Sequence, residues 1–297
     1  TDAVLNVRGF KDATHQVYSS GATSTHDVGT TGLEFQVDQQ LLDGRHRVTY
    51  GGTVGEDQVE STDLAGKKRE RASWALFAQD VVAVTPRLDV TLSNRYDDYS
   101  THGGNFSYRV GMSYDVTVNT SAYASYGTAF RAPTINDMYS VWGGNPNLRP
   151  ETSKAYEVGI ERYIRGGRVS AAYFNRVVDD LIAWLPADTD DPESGYAYEP
   201  RNVNKATFRG VDFEVEAELL PGLTGRAGYM FLLAEDANTG QTLEGKTKHQ
   251  GSLGLTYSHF GGLWTGLKIS AFGERFYQSR VLPGYAVVDL SVGQAFD

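Results

Sequence analysis

Eight side chains are of a type that could hold a ligand: Tyr139, Trp142, Trp184, Tyr196, Tyr198, Phe276, Tyr277 and Arg280. Aromatic rings offer flat contact area at low entropic cost, which suits a ring-shaped or catecholate ligand. The guanidinium adds pairing with anionic groups. The chemistry these residues suggest is binding. Bond-making chemistry lacks its parts. The chain has no cysteine, so it holds neither a thiolate metal site nor a thiol nucleophile. Its six histidines, His15, His26, His46, His102, His249 and His259, show no metal-ligand spacing. Asp188, Asp190, Asp191 and Glu193 could offer oxygen ligands to Ca²⁺. Their spacing is not that of a calcium loop, and a solvated acidic loop accounts for them. Glu214 and Glu216 face one way, as a carboxylate pair would, but the polar face of a strand explains them. No glycine-rich phosphate loop precedes a helix. No enzymatic activity, cofactor or resident metal is expected.

The elements that must position these residues are strands. Val211, Phe213, Val215, Ala217 and Leu219 alternate with Asp212, Glu214, Glu216 and Glu218. A 3.6-residue period would mix the two sets around a helix, whereas a period of two separates them onto the faces of a strand. The pattern recurs from Phe106 to Val116 and from Leu88 to Arg95. About fourteen strands are predicted, near 3–18, 31–41, 45–56, 71–84, 87–98, 105–116, 119–130, 153–164, 168–183, 204–219, 223–235, 247–258, 263–275 and 285–296. No amphipathic helix interrupts them.

Connections alternate in length. Short ones such as Leu42-Asp43-Gly44, Arg165-Gly166-Gly167 and Pro221-Gly222 carry the Gly and Pro of tight turns. Long ones cover 19–30, 57–70, 99–104, 131–152, 184–203, 236–246 and 276–284. Strict alternation places the tight turns at one end of an antiparallel meander. The long loops, with all eight candidate residues, lie at the other.

The 297-residue chain has 27 basic and 37 acidic side chains and a formal charge of -10. That balance argues against a nucleic-acid partner, which needs a basic footprint. The longest apolar run, Tyr229 to Ala234, is six residues, far short of the ~18–20 of a membrane helix. The strands are long against the usual ~5–6 residues, and about ten tilted residues span a bilayer. A face rich in charge, with Arg95, Arg109, Asp115, Glu214 and Glu216, needs a wet interior, and the apolar face then meets lipid. Trp74, Tyr96, Tyr123 and Trp264 near strand ends fit an interfacial aromatic belt. The expected fold class is all-β, an antiparallel up-and-down transmembrane β-barrel. A soluble β-sandwich or propeller is the alternative that pattern alone leaves open.

One stretch is specific. Phe130-Arg131-Ala132-Pro133-Thr134 leads into Ile135-Asn136-Asp137-Met138-Tyr139, then Gly144-Asn145-Pro146-Asn147-Leu148-Arg149-Pro150-Glu151, and closes on Tyr156-Glu157-Val158-Gly159. With Asn202-Val203-Asn204, Gly210-Val211-Asp212-Phe213-Glu214 and Tyr285-Ala286-Val287-Val288-Asp289-Leu290, it resembles the C-terminal barrel part of TonB-dependent outer-membrane receptors, nearest those for cobalamin and ferric siderophores. The resemblance runs from about residue 70 to the end and more weakly before it. Independently of it, Pro133, Pro146 and Pro150 forbid regular pairing, so 131–152 should be ordered but outside the sheet.

The resemblance implies a 22-stranded barrel, of which about fourteen strands lie here, as one domain over 1–297 that is incomplete at both ends and without plug or TonB box. It implies active import of a scarce metal chelate, a ferric siderophore or cobalamin, across the Gram-negative outer membrane. TonB would energise import through the missing N-terminal part, with the lipid bilayer as a further partner. A complete 14-stranded passive porin or fatty-acid channel is an alternative. So is a haem receptor, for which His26 and His102 are the candidate ligands, although no His lies between Thr134 and Gly144.

Overall fold

The computed structural model describes residues 3–20, 22–186, 198–277 and 280–295. The strands are β1 (Ala3–Ser20), β2 (Ala22–Leu41), β3 (His46–Ser61), β4 (Lys68–Thr85), β5 (Leu88–Tyr99), β6 (Gly103–Thr117), β7 (Thr120–Arg131), β8 (Glu151–Ile164), β9 (Gly167–Pro186), β10 (Tyr198–Leu220), β11 (Leu223–Asp236), β12 (His249–Ser258), β13 (Leu263–Phe272), β14 (Arg275–Tyr277), β15 (Arg280–Leu282) and β16 (Tyr285–Gln294). One short helix, α1 (Ile135–Tyr139), lies between β7 and β8. Fourteen strands form a single sheet in chain order from β1 to β13 and then β16, while β14 and β15 pair as a separate hairpin. The expected up-and-down antiparallel meander is the observed one.

The chain divides into two compact units. The first holds residues 1–110, 127–154 and 178–205; the second holds 111–126, 155–177 and 206–297. In the first, β1 to β5 pair as successive antiparallel neighbours. In the second, β11 follows β10 with Phe213 opposite Tyr229 and Glu216 opposite Arg226. The charged set of that unit is tied together on one face: Arg168 donates to Glu161 at 2.9 Å and approaches Glu214 at 3.7 Å, and Arg226 donates to Glu216 at 2.8 Å. The alternate residues, Phe213 and Val215, are exposed apolar groups. So are Phe106, Tyr108, Val110, Met112, Tyr114 and Val116 along β6. The face split expected from period-two alternation is therefore present.

Burial is concentrated away from the middle of the sheet. Leu64, Ile135, Met138, Leu148 and Ile182 are buried, as are the rings of Pro133 and Pro200. All belong to the first unit, in or beside the 131–152 connection. Among the described residues the larger buried apolar side chains gather where these loops fold over one another, while small residues such as Ala75, Ala206 and Ala234 are buried within the sheet.

Three expectations are corrected. Within the stretch 19–30, residues 19–20 and 22–30 belong to β1 and β2 and not to a long loop, with His15 opposite Asp27 and Val17 opposite Thr25. Likewise 57–61 extends β3, and 184–186 and 198–203 extend β9 and β10. In 23–27 both faces are polar, and in 184–186 and 198–203 the prolines Pro186 and Pro200 interrupt the alternation, so hydrophobic periodicity does not mark these extensions. The third correction is α1, a single turn too short to carry a helical period.

Candidate functional site

The connection between β7 and β8 is organised by two buried carboxylates, Asp137 and Glu151. Pro133 has no N–H to continue the ladder, and its carbonyl instead accepts from Arg71 Nη1 at 3.1 Å. Arg71 is itself fixed, since Nε and Nη2 donate to Asp57 Oδ2 at 3.2 and 2.7 Å. Thr30 Oγ1 donates to the other oxygen of Asp57 at 3.0 Å. The Arg71 guanidinium lies 5.0 Å over the Tyr99 ring, a cation–π contact.

Thr134 then starts α1 through a reciprocal capping box. Asp137 N donates to Thr134 Oγ1 and Thr134 N donates to Asp137 Oδ2, each at 3.0 Å. The second carboxylate oxygen of Asp137 accepts from Trp184 Nε1 at 3.1 Å. Arg131 stands 3.9 Å from Asp137 Oδ2 and donates to Glu151 Oε1 at 2.5 Å. The same Glu151 oxygen accepts from Ile182 N at 2.8 Å. A buried carboxylate is costly unless paired and hydrogen-bonded. Here one guanidinium faces both acids and links β7, α1, β8 and β9. The Glu151 hydrogen bond holds the Arg131 guanidinium above its usual pKa, against burial.

Beyond α1 the chain reverses tightly. Gly144 N donates to Ser140 O at 2.8 Å and Asn145 N to Asp137 O at 2.9 Å. Asn145 Nδ2 donates to Pro200 O at 3.2 Å, and its Oδ1 accepts from Asn147 N at 3.0 Å. Asn202 grips the far end of the loop: its Oδ1 accepts from Arg149 N at 2.9 Å, and its Nδ2 donates to Arg149 O at 2.9 Å and Asp180 O at 2.7 Å. The connection also docks on the β3–β4 loop, where Leu64 bridges Ser140 and Ala65 N donates to Tyr139 O at 2.9 Å.

The sequence-predicted residues fall in several settings. The Tyr139 ring is half-buried with the Arg69 guanidinium 4.8 Å above it. Trp142 projects from the loop tip and is 66% exposed. Trp184 is anchored through its indole, and Tyr198 is exposed at the start of β10. Phe276, Tyr277 and Arg280 sit together on the β14–β15 hairpin of the second unit, where Tyr277 pairs with Arg280. Tyr196 and the acidic run Asp188, Asp190, Asp191 and Glu193 lie outside the described residues. Of the motif residues, Arg131, Pro133, Asn145, Leu148 and Glu151 hold the loop together, Phe130 packs edge-on against Tyr99 at 6.1 Å, and Pro146 and Asn147 are exposed. Ala132 and Pro150 are partly covered. Asp57, Arg71 and Asp137 were not singled out from sequence. Thr134 and Asp137, spaced as a capping box, were the signal available for the last.

The histidines are mostly committed. His26 has Nδ1 on Ser61 Oγ at 2.8 Å, and Nε2 near Ser24 Oγ at 3.1 Å and Asp63 at 3.2 Å. His102 stacks on Tyr99 at 5.3 Å, with Nδ1 on Thr101 Oγ1 at 2.7 Å and Nε2 buried. Burial, and then the positive charge of Arg71, lower its pKa. Among the described residues no group of three or more His, Asp or Glu is arranged to hold a metal ion.

Comparison with known proteins gives consistent answers. A family model described as TonB dependent receptor-like, beta-barrel matches residues 2–297. The chain is 29% identical over 259 residues to the vitamin B12 transporter BtuB of Photobacterium profundum, covering 86% of this chain and 41% of that protein. It is 36% identical over 150 residues to the same transporter of Vibrio vulnificus, covering 50% of this chain and 23% of that one. Among solved structures, the ferric enterobactin receptor PfeA of Pseudomonas aeruginosa, as an R480A mutant in complex with enterobactin, superposes with a TM-score of 0.78 at 18% identity. That superposition covers 99% of this chain and 52% of PfeA, so the chain spans about half the length of the proteins it matches.

Proposed function

The chain belongs to the TonB-dependent receptor β-barrel family, and on that premise we propose that it forms part of an outer-membrane receptor that binds a scarce metal chelate outside the cell and imports it. The cargo is a ferric siderophore or cobalamin, and TonB supplies the energy. Residues 1–297 contribute to one barrel domain. Apolar residues such as Phe213, Val215, Tyr108 and Val110 face lipid, and the charged set including Glu214 and Glu216 faces the lumen. Reversing that polarity is costly, because a charge at mid-membrane costs about 2–4 kcal/mol on the lipid face of a barrel.

The observation that carries this reading is the 131–150 loop. Its buried Asp137, with Glu151 at the start of β8, fixes a platform from which Trp142 projects and Tyr139 and Trp184 show part of their rings. A loop ordered by its own interior before any ligand arrives lowers the entropic cost of capture. Tyr139, Trp142, Trp184, Tyr196, Tyr198, Phe276, Tyr277 and Arg280 are the proposed ligand contacts. The haem alternative draws no support from the two histidines it would use. Both ring nitrogens of His26 are engaged, and the free nitrogen of His102 is buried.

Uptake tests the reading directly. The full parent protein, expressed in cells deleted for their own receptors, should restore accumulation of radiolabelled cobalamin or a ferric siderophore, and removal of TonB should abolish it. Accumulation that is unaffected by loss of TonB would favour a passive channel instead.

A further inference from the structure

A second cluster of charge lies in the other unit, on residues with no role in the loop just described. The segment 245–248 runs against β14: Gly245 N donates to Phe276 O at 2.7 Å, and Thr247 forms an antiparallel bridge with Arg275. Thr247 is buried. Its neighbours Lys246 and Lys248 flank it, and both are exposed. Both line a cavity of about 560 Å³ together with Arg275. The Arg275 guanidinium is held 5.2 Å over the Tyr285 ring, which stacks in turn on Phe272 at 4.9 Å. It is therefore positioned before any ligand arrives.

Charge makes this cavity unusual for the chain. The protein carries a formal charge of -10, and its arginines commonly pair with carboxylates, as Arg71, Arg131, Arg168 and Arg226 do. Among the described residues, no carboxylate pairs with Lys246, Lys248 or Arg275. Glu274 is the one acid in the lining, so three cations face one carboxylate. Unpaired cations brought to one concavity in an acidic protein create a local attraction for anions. Phe276 and Val281 add exposed apolar wall beside them. That combination fits a ligand carrying both negative charge and flat rings.

We infer that this cavity is an anion-binding subsite for the imported cargo, and that the cargo is a negatively charged metal chelate with aromatic arms, not an uncharged corrinoid. The inference rests on the import reading above and narrows it. Lys246, Lys248 and Arg275 bind the anionic oxygens, and Phe276 packs against a ring. The contact is largely electrostatic and partly exposed, so salt should weaken it.

The test uses the full parent protein in phosphatidylcholine vesicles, with three probes: the anionic iron(III) complex of 2,3-dihydroxybenzoate, a neutral ferric trihydroxamate, and cyanocobalamin. The wild type should bind the anionic complex, more weakly as salt rises. The triple variant K246Q/K248Q/R275Q should bind it roughly tenfold or more weakly, the scale of lost charge-assisted contacts. Heat-modifiable migration on gels reports whether that variant keeps its fold. If it does not, E274Q is read in its place and should tighten the anionic complex several-fold. Equal affinity of wild type and triple variant, or no tightening by E274Q, overturns the inference. Binding of uncharged probes alone overturns it while leaving the import reading intact, and binding of no probe overturns both. Wild type that retains lipid A phosphates, lost in the triple variant with chelate affinity unchanged, makes the cavity a headgroup site and also overturns it.

Discussion

Trp184 Nε1 donates to Asp137 Oδ1 across 3.1 Å, joining the end of β9 to a one-turn helix 47 residues earlier in the chain. The same carboxylate caps that helix through Thr134 N. One buried group thus orders both the loop and the ring beside it. Asp137→Ala removes the acceptor of two part-buried hydrogen bonds, from Thr134 N and Trp184 Nε1, at about 0.5–1.5 kcal/mol each. Amide exchange over 134–145 should speed up while β1 to β5 keep their protection. Asp137→Asn retains an acceptor and should be milder. Identical exchange in the alanine variant and the wild type would remove Asp137 from this role.

A second expectation concerns acid. Burial, and then Arg71, hold the His102 imidazole below its ordinary pKa of ~6.5. The folded loop therefore holds the neutral ring, and the unfolded chain takes up the proton first. The contribution of His102 is complete above the unfolded value and is lost as pH falls through the folded one. Protection of its amide, which donates to Tyr99 O at 3.3 Å, should decline as the sample is acidified below about pH 6.5. His102→Gln should flatten that profile. A profile unchanged by the substitution would assign the pH dependence to another group.

Two glycines separate close packing from backbone conformation. A Cβ on Gly144 would sit 2.4 Å from Ser140 N and 2.8 Å from Tyr139 N, both backbone atoms that cannot swing aside. At Gly240 a Cβ meets nothing within 4 Å, and the demand is only a φ of +71°. Gly240→Ala should cost about 1–2 kcal/mol of left-handed strain, local to its turn. Gly144→Ala should displace the 139–148 segment and reduce ligand capture, with the barrel still inserted. Crosslinking between cysteines placed at positions 65 and 139 reads the displacement, and wild-type yield in Gly144→Ala would contradict it.

The face assignment is open to substitution. Phe213→Lys places a charge on the proposed lipid face, at about 2–4 kcal/mol near the midplane, and should lower the amount of heat-modifiable barrel in membranes. Glu214→Gln, on the alternate face, should leave it nearly unchanged. The opposite ranking would invert the register.

The sheet was legible in the sequence because a barrel strand must keep its apolar and charged residues on separate faces. That is why Val211 to Leu219 could be placed without a structure. The strand ends were less legible. From Thr23 to Asp27 both faces are polar, and only pairing with β1 makes that stretch a strand. The loop interior was hidden for another reason. The chain has 37 acids, and nothing in their spacing distinguishes Asp57, which fixes Arg71, from its solvated neighbours. Trp184 could be selected as an aromatic at the loop end, but its bond to Asp137 is long-range. Asn202 stood within a recognisable motif, yet its grip on Arg149 and Asp180 is a property of three segments at once.

The way the 131–150 loop is held also bears on how such a protein changes. Its anchors are Asp137, Glu151, Asn145 and Asn202, which bond backbone groups and one another's partners. Among the described residues, no hydrogen bond, ion pair or ring contact involves the side chains of Trp142 or Asn147. The outward tip is therefore decoupled from the scaffold beneath it. Mutations there can accumulate without a folding penalty, so recognition can drift while architecture stays put. The same decoupling makes the tip a natural insertion point for a foreign peptide displayed on the cell surface.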